Sequence, residues 1–485
     1  MRWRTVLVVF LLLLVPGLSG AAATVSGAPA TVSTLTSAPA PGGIRGPDSY
    51  WPYDGNGGTN ALHYDVRIAY NFSERILRGR TVVTMRANRA LSSFSLDLLL
   101  PVSAVKVNGW TARFTRPNHH ELKIIPRSAI SAGKTFKVEV VYRGKPSQRG
   151  YAGERNWLAD RHEFVTMNQP HMAPWWFPSN DHPSDKATFD IRVNLPKAKR
   201  VISNGIRVSR KVIGTRAVTH WRMSDPMATY LAVVAAGDFL MEASRTSSGI
   251  PVYNAVSSRL SSAERRSSLR ALRRTAGITE WLKGQFGPYP FSSIGGVVTN
   301  LDVGFALENQ TRPTYGSWIY TGVIVHEVAH QWFGDSVSVR KWRDIWLNEG
   351  FATYAEVLYD ATHGGKSVEA WLDGVYASAC QSPTSSFWTL KLDNPGAAHI
   401  FDGAVYDRGA MVLAALRNRI GAAELQRVLR LWVTAHRDGN ASVAQFEAFT
   451  EARTGEDLDG FFDAWLRGAR APAGTAENGL RHACP

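Results

Sequence analysis

Two histidines four residues apart, His326 and His330, with Glu327 beside the first, are the residues of this sequence best suited to chemistry. On a helix, side chains at i and i+4 leave one face a turn apart, so both imidazoles can reach a single metal ion. A carboxylate next to the first ligand stays outside the coordination sphere, where it can take a proton from a metal-activated water. That is the mechanical content of the H-E-x-x-H pattern, and the metal it suits is zinc. Val323, Ile324, Val325, Val328, Ala329, Trp332 and Phe333 predict a largely buried helix around it, with Gly334 as its stop.

A catalytic zinc takes three protein ligands and keeps a fourth position open. Glu349 is the third: eighteen residues separate it from His330, enough for a turn at Gly334 and Asp335 and a returning helix. Trp346, Leu347, Phe351, Ala352, Tyr354, Ala355 and Leu358 give that helix its apolar face. Glu356, seven residues beyond Glu349 on the same face, is placed to hold a ligand histidine in one tautomer.

These residues need a framework, and 485 residues are enough for two or three domains. Residues 1–22 carry Arg2 and Arg4, an apolar run and then small residues, which reads as a signal peptide and predicts a secreted protein. The run falls well short of the roughly twenty residues that span a bilayer. Removing this segment takes the net charge from +15, less two arginines, to +13. A surface so basic suits weak association with an anionic cell surface, while no motif points to nucleic acid. A monomer is expected. Cys380 and Cys484 fit one disulfide in an oxidising compartment, or two free thiols.

Residues 23–48, rich in Ala, Thr, Ser, Pro and Gly, read as a disordered spacer. From 49 to 240 apolar and polar residues alternate in short runs, at 63–72, 80–85, 94–100, 136–142, 189–195, 200–208, 217–223 and 230–235, predicting an antiparallel β-rich domain. Residues 241–468 change to helical periodicity. Ser261 and Glu264 form a capping box that opens an arginine-rich helix to about Lys283. A buried strand at 295–300 and an edge segment at 304–310 lead to the histidine helix. Helices follow at 410–420, 422–436, 443–453 and 458–466, and 469–485 reads as a loose tail. The fold class is therefore α+β.

At this point the sequence resembles the aminopeptidase N family of zinc metallopeptidases, which includes leukotriene hydrolase, over most of residues 50–468. The stretch from His326 to Glu356 is similar to that family's zinc signature. Phe305-Ala306-Leu307-Glu308-Asn309 resembles its exopeptidase motif, usually Gly-Ala-Met-Glu-Asn, and the run from Phe177 through Asp181 and Lys186 to Phe189 a further family segment. Tyr406-Asp407-Arg408-Gly409 resembles its tyrosine motif.

The resemblance implies a thermolysin-like, mainly helical catalytic domain after the β domain, one zinc ion per chain, and removal of the first residue from peptides with a free N-terminus. It implies that Glu308, helped by Gln169, binds the substrate's α-ammonium, with Ala306 and Asn309 beside it, and that Tyr406 stabilises the oxyanion. His171, Trp175 and Trp176 read as packing residues. Phe305 in place of glycine and Leu307 in place of methionine imply a reshaped pocket for the first side chain. Larger members carry a long helical C-terminal domain; without one the cleft is expected to be more open. Three other readings share these residues: a zinc endopeptidase with a structural Glu308, an epoxide hydrolase like leukotriene hydrolase, and a catalytically idle wall-binding protein.

Overall fold

The alternating runs of the N-terminal half pair into sheets. In the computed structural model, which describes residues 38–484, the largest sheet has eight strands. Their order is Ile206–Ile213, Arg216–Met227, Ala187–Pro196, Thr59–Asn71, Ile76–Ala87, Thr135–Gly144, Val102–Val107 and Trp110–Thr111. Along Thr59–Asn71 the inward positions are Ala61, then Tyr64, Val66, Ile68 and Tyr70; an irregularity between Ala61 and His63 shifts the alternation by one. The sheet is mixed, contrary to the antiparallel expectation. Ala187–Pro196 runs parallel to Thr59–Asn71, with Ile191 opposite Val66. The long connection after Gly144 makes this possible, because only a crossover can bring a strand back in the same direction.

The expected signal peptide and residues 23–37 of the expected spacer lie outside the described residues. The end of that spacer is ordered, which corrects the reading of 23–48 as disordered throughout. Ala40–Pro41 pairs in parallel with Leu91–Asp97, Gly42 N donates to Ser93 O at 2.7 Å, and the Asp48 carboxylate accepts from Trp342 N at 2.7 Å. Backbone hydrogen bonds and one buried carboxylate, rather than apolar bulk, hold it.

In the C-terminal half a four-stranded sheet runs Phe239–Arg245, Pro251–Ser257, Ile294–Val298, Thr314–Tyr315. Ile294–Val298 lies between two parallel neighbours and is buried at every residue, as its continuous apolar run requires. The expected edge segment at 304–310 contributes only one bridge, Leu307 with Thr314. Helix α1 is Ser262–Phe286, opened by the predicted box: Glu264 N donates to Ser261 Oγ at 3.2 Å and Ser261 N to the Glu264 carboxylate at 2.8 Å. There follow α2 (Thr321–Ala329), α3 (Trp346–Thr362), α4 (Val368–Ala379), α5 (Ser386–Thr389) and α6 (Gly409–Ile420). Helices Ala422–Ala435 and Val443–Thr454 match expectation, whereas the expected helix at 458–466 divides into Asp459–Phe462 and a π-helical turn, Asp463–Arg467. One continuous hydrophobic core joins both halves, so the change near 240 is a change of architecture within one compact unit.

The C-terminal tail is seated, not loose. Cys484 is disulfide-bonded to Cys380. Leu480 is buried, Tyr376 Oη donates to Pro472 O at 2.5 Å and Trp465 Nε1 to Asn478 O at 3.1 Å. The disulfide closes a loop with a sequence separation of 104. By restricting the unfolded chain a link of that length contributes up to about 5 kcal/mol. Cys484→Ser is therefore expected to lower the unfolding midpoint in denaturant; an unchanged midpoint would deny the link a stabilising role.

Candidate active site

Helix α2 carries His326 and Glu327 but ends at Ala329, a turn earlier than Gly334 suggested, with His330 as its C-cap. The amides of Asp335, Ser336 and Val337 reach back five residues to His330 O, Gln331 O and Trp332 O, at 2.9, 3.2 and 3.2 Å, and widen the exit. Gly334, at φ 131°, then passes beneath the ligand: a Cβ there would lie 3.2 Å from His330 Nδ1 and 3.3 Å from the Asn348 side chain.

Glu349 lies in the first turn of α3, next to Gly350. A Cβ on Gly350 would stand 2.8 Å from the Gly409 backbone, so α3 and α6 meet main chain to main chain. That contact brings Glu349 beside Tyr406, which sits on a π-helical turn, Ala404–Arg408, running into α6. Gly350→Ala is expected to wedge the helices apart at a cost of about 1–3 kcal/mol, seen as a lower unfolding midpoint with reduced turnover.

Glu349 Oε2 lies 3.3 Å from both His326 Nε2 and His330 Nε2. The other ring nitrogens are engaged outward: His326 Nδ1 donates to Glu356 Oε1 at 2.8 Å and His330 Nδ1 to Phe333 O at 3.0 Å. With the protons there, both Nε2 lone pairs face a carboxylate that only accepts. Three such atoms converge in a buried place only around a cation. A tetrahedral ion with ligand bonds of about 2.0–2.1 Å holds its ligand atoms roughly 3.3 Å apart, so the spacing fits zinc. Until a metal binds, a proton takes its place: burial opposes charging His326, but the bonds to Glu349 and Glu356 outweigh it and hold the ring well above its ordinary range. Burial likewise opposes ionising Glu349, yet the two histidines draw its carboxyl down to about 2. Glu356 thus occupies the place expected for it. Removing its charge should weaken metal binding about 10–100-fold, measurable for Glu356→Gln by chelator competition.

Burial pushes the Glu327 carboxyl up to about 8, with Glu308 and Glu349 adding to the shift and the histidines opposing it. At the other side of the site Glu308, 2% exposed, accepts from Gln169 Nε2 at 3.0 Å and from Tyr230 Oη at 3.1 Å, both on Oε1. Ligand-type atoms of Glu308, Glu327 and His330 all lie within 4.8 Å of one another. The Tyr406 ring stacks at 5.9 Å on that of His326, and burial, followed by the carboxylates of Glu349, Glu308 and Glu327, holds its phenol well above its ordinary range. A cavity of about 490 Å³ opens onto His326, Glu327, His330, Glu349, Glu356 and Tyr406; Asn168, Gln169, Phe305, Ala306, Tyr320, Val323 and Phe401 complete its wall.

Eight expected site residues therefore converge: His326, His330, Glu349, Glu327, Glu308, Gln169, Ala306 and Tyr406. Asn309 does not. Its side chain is fully buried, Nδ2 donating to Leu231 O at 3.2 Å and Oδ1 accepting from Thr314 Oγ1 at 3.0 Å. Leu307 likewise turns into the core, 1% exposed. Alternation about the single bridge at Leu307 explains both: Ala306 lines the cavity and Glu308 lies beside His330 and Glu327, while Leu307 and Asn309 turn the other way. Any change in the pocket thus comes from Phe305, 44% exposed, and not from Leu307. His171, Trp175 and Trp176 are fully buried packing residues as expected. Sequence reasoning missed Tyr230, Tyr320 and Phe401. Tyr230, on the turn Thr229–Leu231, lies 78 residues before Glu308 and carries no local signal; an expected strand at 230–235 instead begins at Val234.

Residues 295–465 match the model of the Peptidase family M1 domain, and residues 60–231 that of the Peptidase M1 N-terminal domain. Endoplasmic reticulum aminopeptidase 1 of Rattus norvegicus is 26% identical over 416 residues, covering 76% of this chain and 43% of the relative. Aminopeptidase M1 of Arabidopsis thaliana is 28% identical over 352 residues, covering 64% and 38%. The chain thus spans less than half the length of these curated relatives. Among solved structures, a mutant M1 zinc metallopeptidase of Deinococcus radiodurans bound to a Tyr-Ser-Ala substrate superposes with a TM-score of 0.78 at 26% identity, covering 87% of this chain and 97% of that one. A mutant two-domain M1 zinc metallopeptidase bound to L-tryptophan gives 0.79 at 26% identity, covering 88% and 98%.

Proposed function

Because the chain belongs to peptidase family M1 through both of its matched regions, we propose that it is a zinc aminopeptidase that releases the first residue of peptides with a free N-terminus. The observation that carries this reading is the closeness of Glu308 to the metal-ligating group. Its carboxylate lies within 4.8 Å of a ring nitrogen of His330, near enough that one residue can set its ammonium against Glu308 and its carbonyl beside the metal-ligating group. A buried carboxylate at that place pairs with an α-ammonium, and an acylated amine would leave it unpaired. Gln169 and Tyr230, by donating to Oε1, fix its orientation.

His326, His330 and Glu349 would hold the zinc, which when bound supplies Lewis-acid polarisation of the substrate carbonyl and of water. Glu327, buried against the ligands, takes the proton from the attacking water and returns it to the leaving amine. Tyr406, its phenol kept protonated by burial and carboxylates, donates a hydrogen bond to the oxygen that gains charge as the carbonyl becomes tetrahedral. Phe305, Tyr320 and Phe401 give the first side chain an apolar wall.

Export is part of the proposal and rests on Arg2, Arg4 and the apolar run after them. The deciding experiment is hydrolysis of short peptides with free or acetylated N-termini, before and after zinc chelation. Loss of the first residue from free-amine peptides alone, stopped by chelation, supports the reading. Internal cleavage of acetylated peptides would make the protein an endopeptidase.

A further inference from the structure

The N-terminal half holds a second cluster of ligand-type side chains that shares no residue with the active site. Asp97 and Glu121 are cross-strand partners between Leu91–Asp97 and Glu121–Ile125, and His120 precedes Glu121. His120 Nδ1 lies 3.7 Å from Asp97 Oδ1 and 3.8 Å from Glu121 Oε1, and ligand atoms of the three residues lie within 4.8 Å of one another. None is more than 1% exposed.

What sets this cluster apart is that the polar atoms of His120 and Glu121 are unmatched. Among the described residues neither ring nitrogen of His120 and neither carboxylate oxygen of Glu121 has a hydrogen-bond partner. The same holds for Oδ1 of Asn56, whose Nδ2 donates to Asp97 Oδ1 at 3.0 Å. Buried polar groups are almost always paired, and two buried carboxylates side by side are costly without a compensating charge. No lysine or arginine nitrogen among the described residues comes within 4.0 Å of either one. The nearby Arg116 gives its guanidinium to the carbonyls of Leu98, Leu100 and His119. His171 is committed to Asp54 at 2.7 Å.

We propose that Asp97, His120 and Glu121 form a second metal site for a divalent transition cation such as Mn²⁺ or Zn²⁺. Two carboxylates supply hard donors, while the imidazole selects against Ca²⁺ and Mg²⁺, which prefer oxygen alone. The site is structural. Asp97 Oδ2 also accepts from Gly55 N at 3.1 Å and Asp181 N at 2.7 Å, so an ion on Oδ1 ties two strands to two loops in the middle of the β half. Binding there adds to folding stability.

The test uses the full chain carrying His326→Ala and His330→Ala, which removes the active-site ligands. The protein is loaded with Mn²⁺ or Zn²⁺, freed of excess by gel filtration, and its metal counted by mass spectrometry; it is then melted with and without chelator. One ion per chain, and a lower melting midpoint after chelation, are expected. Adding His120→Ala and Glu121→Gln should remove that ion. No ion in the first variant, with a midpoint indifferent to chelator, would mean that protons neutralise the cluster and would overturn the proposal. So would an ion that survives the added substitutions. If the fourfold variant does not fold, the count and the melt on the first one decide.

Discussion

Glu327→Gln is expected to lower kcat by about 10²–10⁴-fold while metal content stays at the wild-type level. The amide keeps the size and most contacts of the acid, so the fold of α2 and the ligands on either side should be undisturbed. It has lost the one property the site needs, the ability to take a proton in a dry environment and give it back. Glu327 is 4% exposed, which leaves little room for solvent to substitute. Because the change acts on a proton transfer and not on binding, KM should move little. Steady-state kinetics on a free-amine peptide, with metal counted on the same sample, checks both. Near wild-type turnover in the metal-replete variant would remove Glu327 from the mechanism.

The second large effect is expected at Glu308. Truncating one partner of a buried charge pair costs about 2–5 kcal/mol, and at 1.36 kcal/mol per tenfold Glu308→Gln should lose at least about 30-fold in kcat/KM for peptides with a free amine. Acetylated peptides, which never had the ion pair, should lose far less. The discriminating readout is therefore the ratio of the two rates, which should collapse toward unity. An equal loss on both would make Glu308 a fold residue near the site. Tyr230→Phe, which removes one donor to the same oxygen, should show a smaller shift in the same ratio.

The chemistry was more legible than the scaffold. His326, Glu327, His330, Glu349 and Glu356 lie within about thirty residues on two helices, where periodicity alone says which side chains share a face. Glu308, Gln169 and Tyr406 had no such local logic and came from motif resemblance. The same resemblance misplaced Asn309, because a motif records which residues occur together and not which way an extended chain points them. Tyr230 escaped because its partner lies on another part of the fold. Strand positions in the β half were visible in the alternation, but the parallel pairing of Ala187–Pro196 was not, since residue pattern sets a strand's faces and not its neighbour. The order in residues 40–48 and 469–484 depends on backbone hydrogen bonds and a disulfide, which composition does not register.

The meeting of Gly350 with Gly409 has no side chain in it to repack. Glu349 and Tyr406, fixed to either side of that seam, form one inflexible frame, and adaptation to new substrates has to occur elsewhere. The aromatic rim of the same cavity, with Phe305, Tyr320 and Phe401 between 39% and 58% exposed, is where side chains can change size. Lineages of this chain that diverge in the residue they remove should thus vary at those three aromatics while both glycines stay fixed, and a designer seeking altered selectivity would randomise the same three positions.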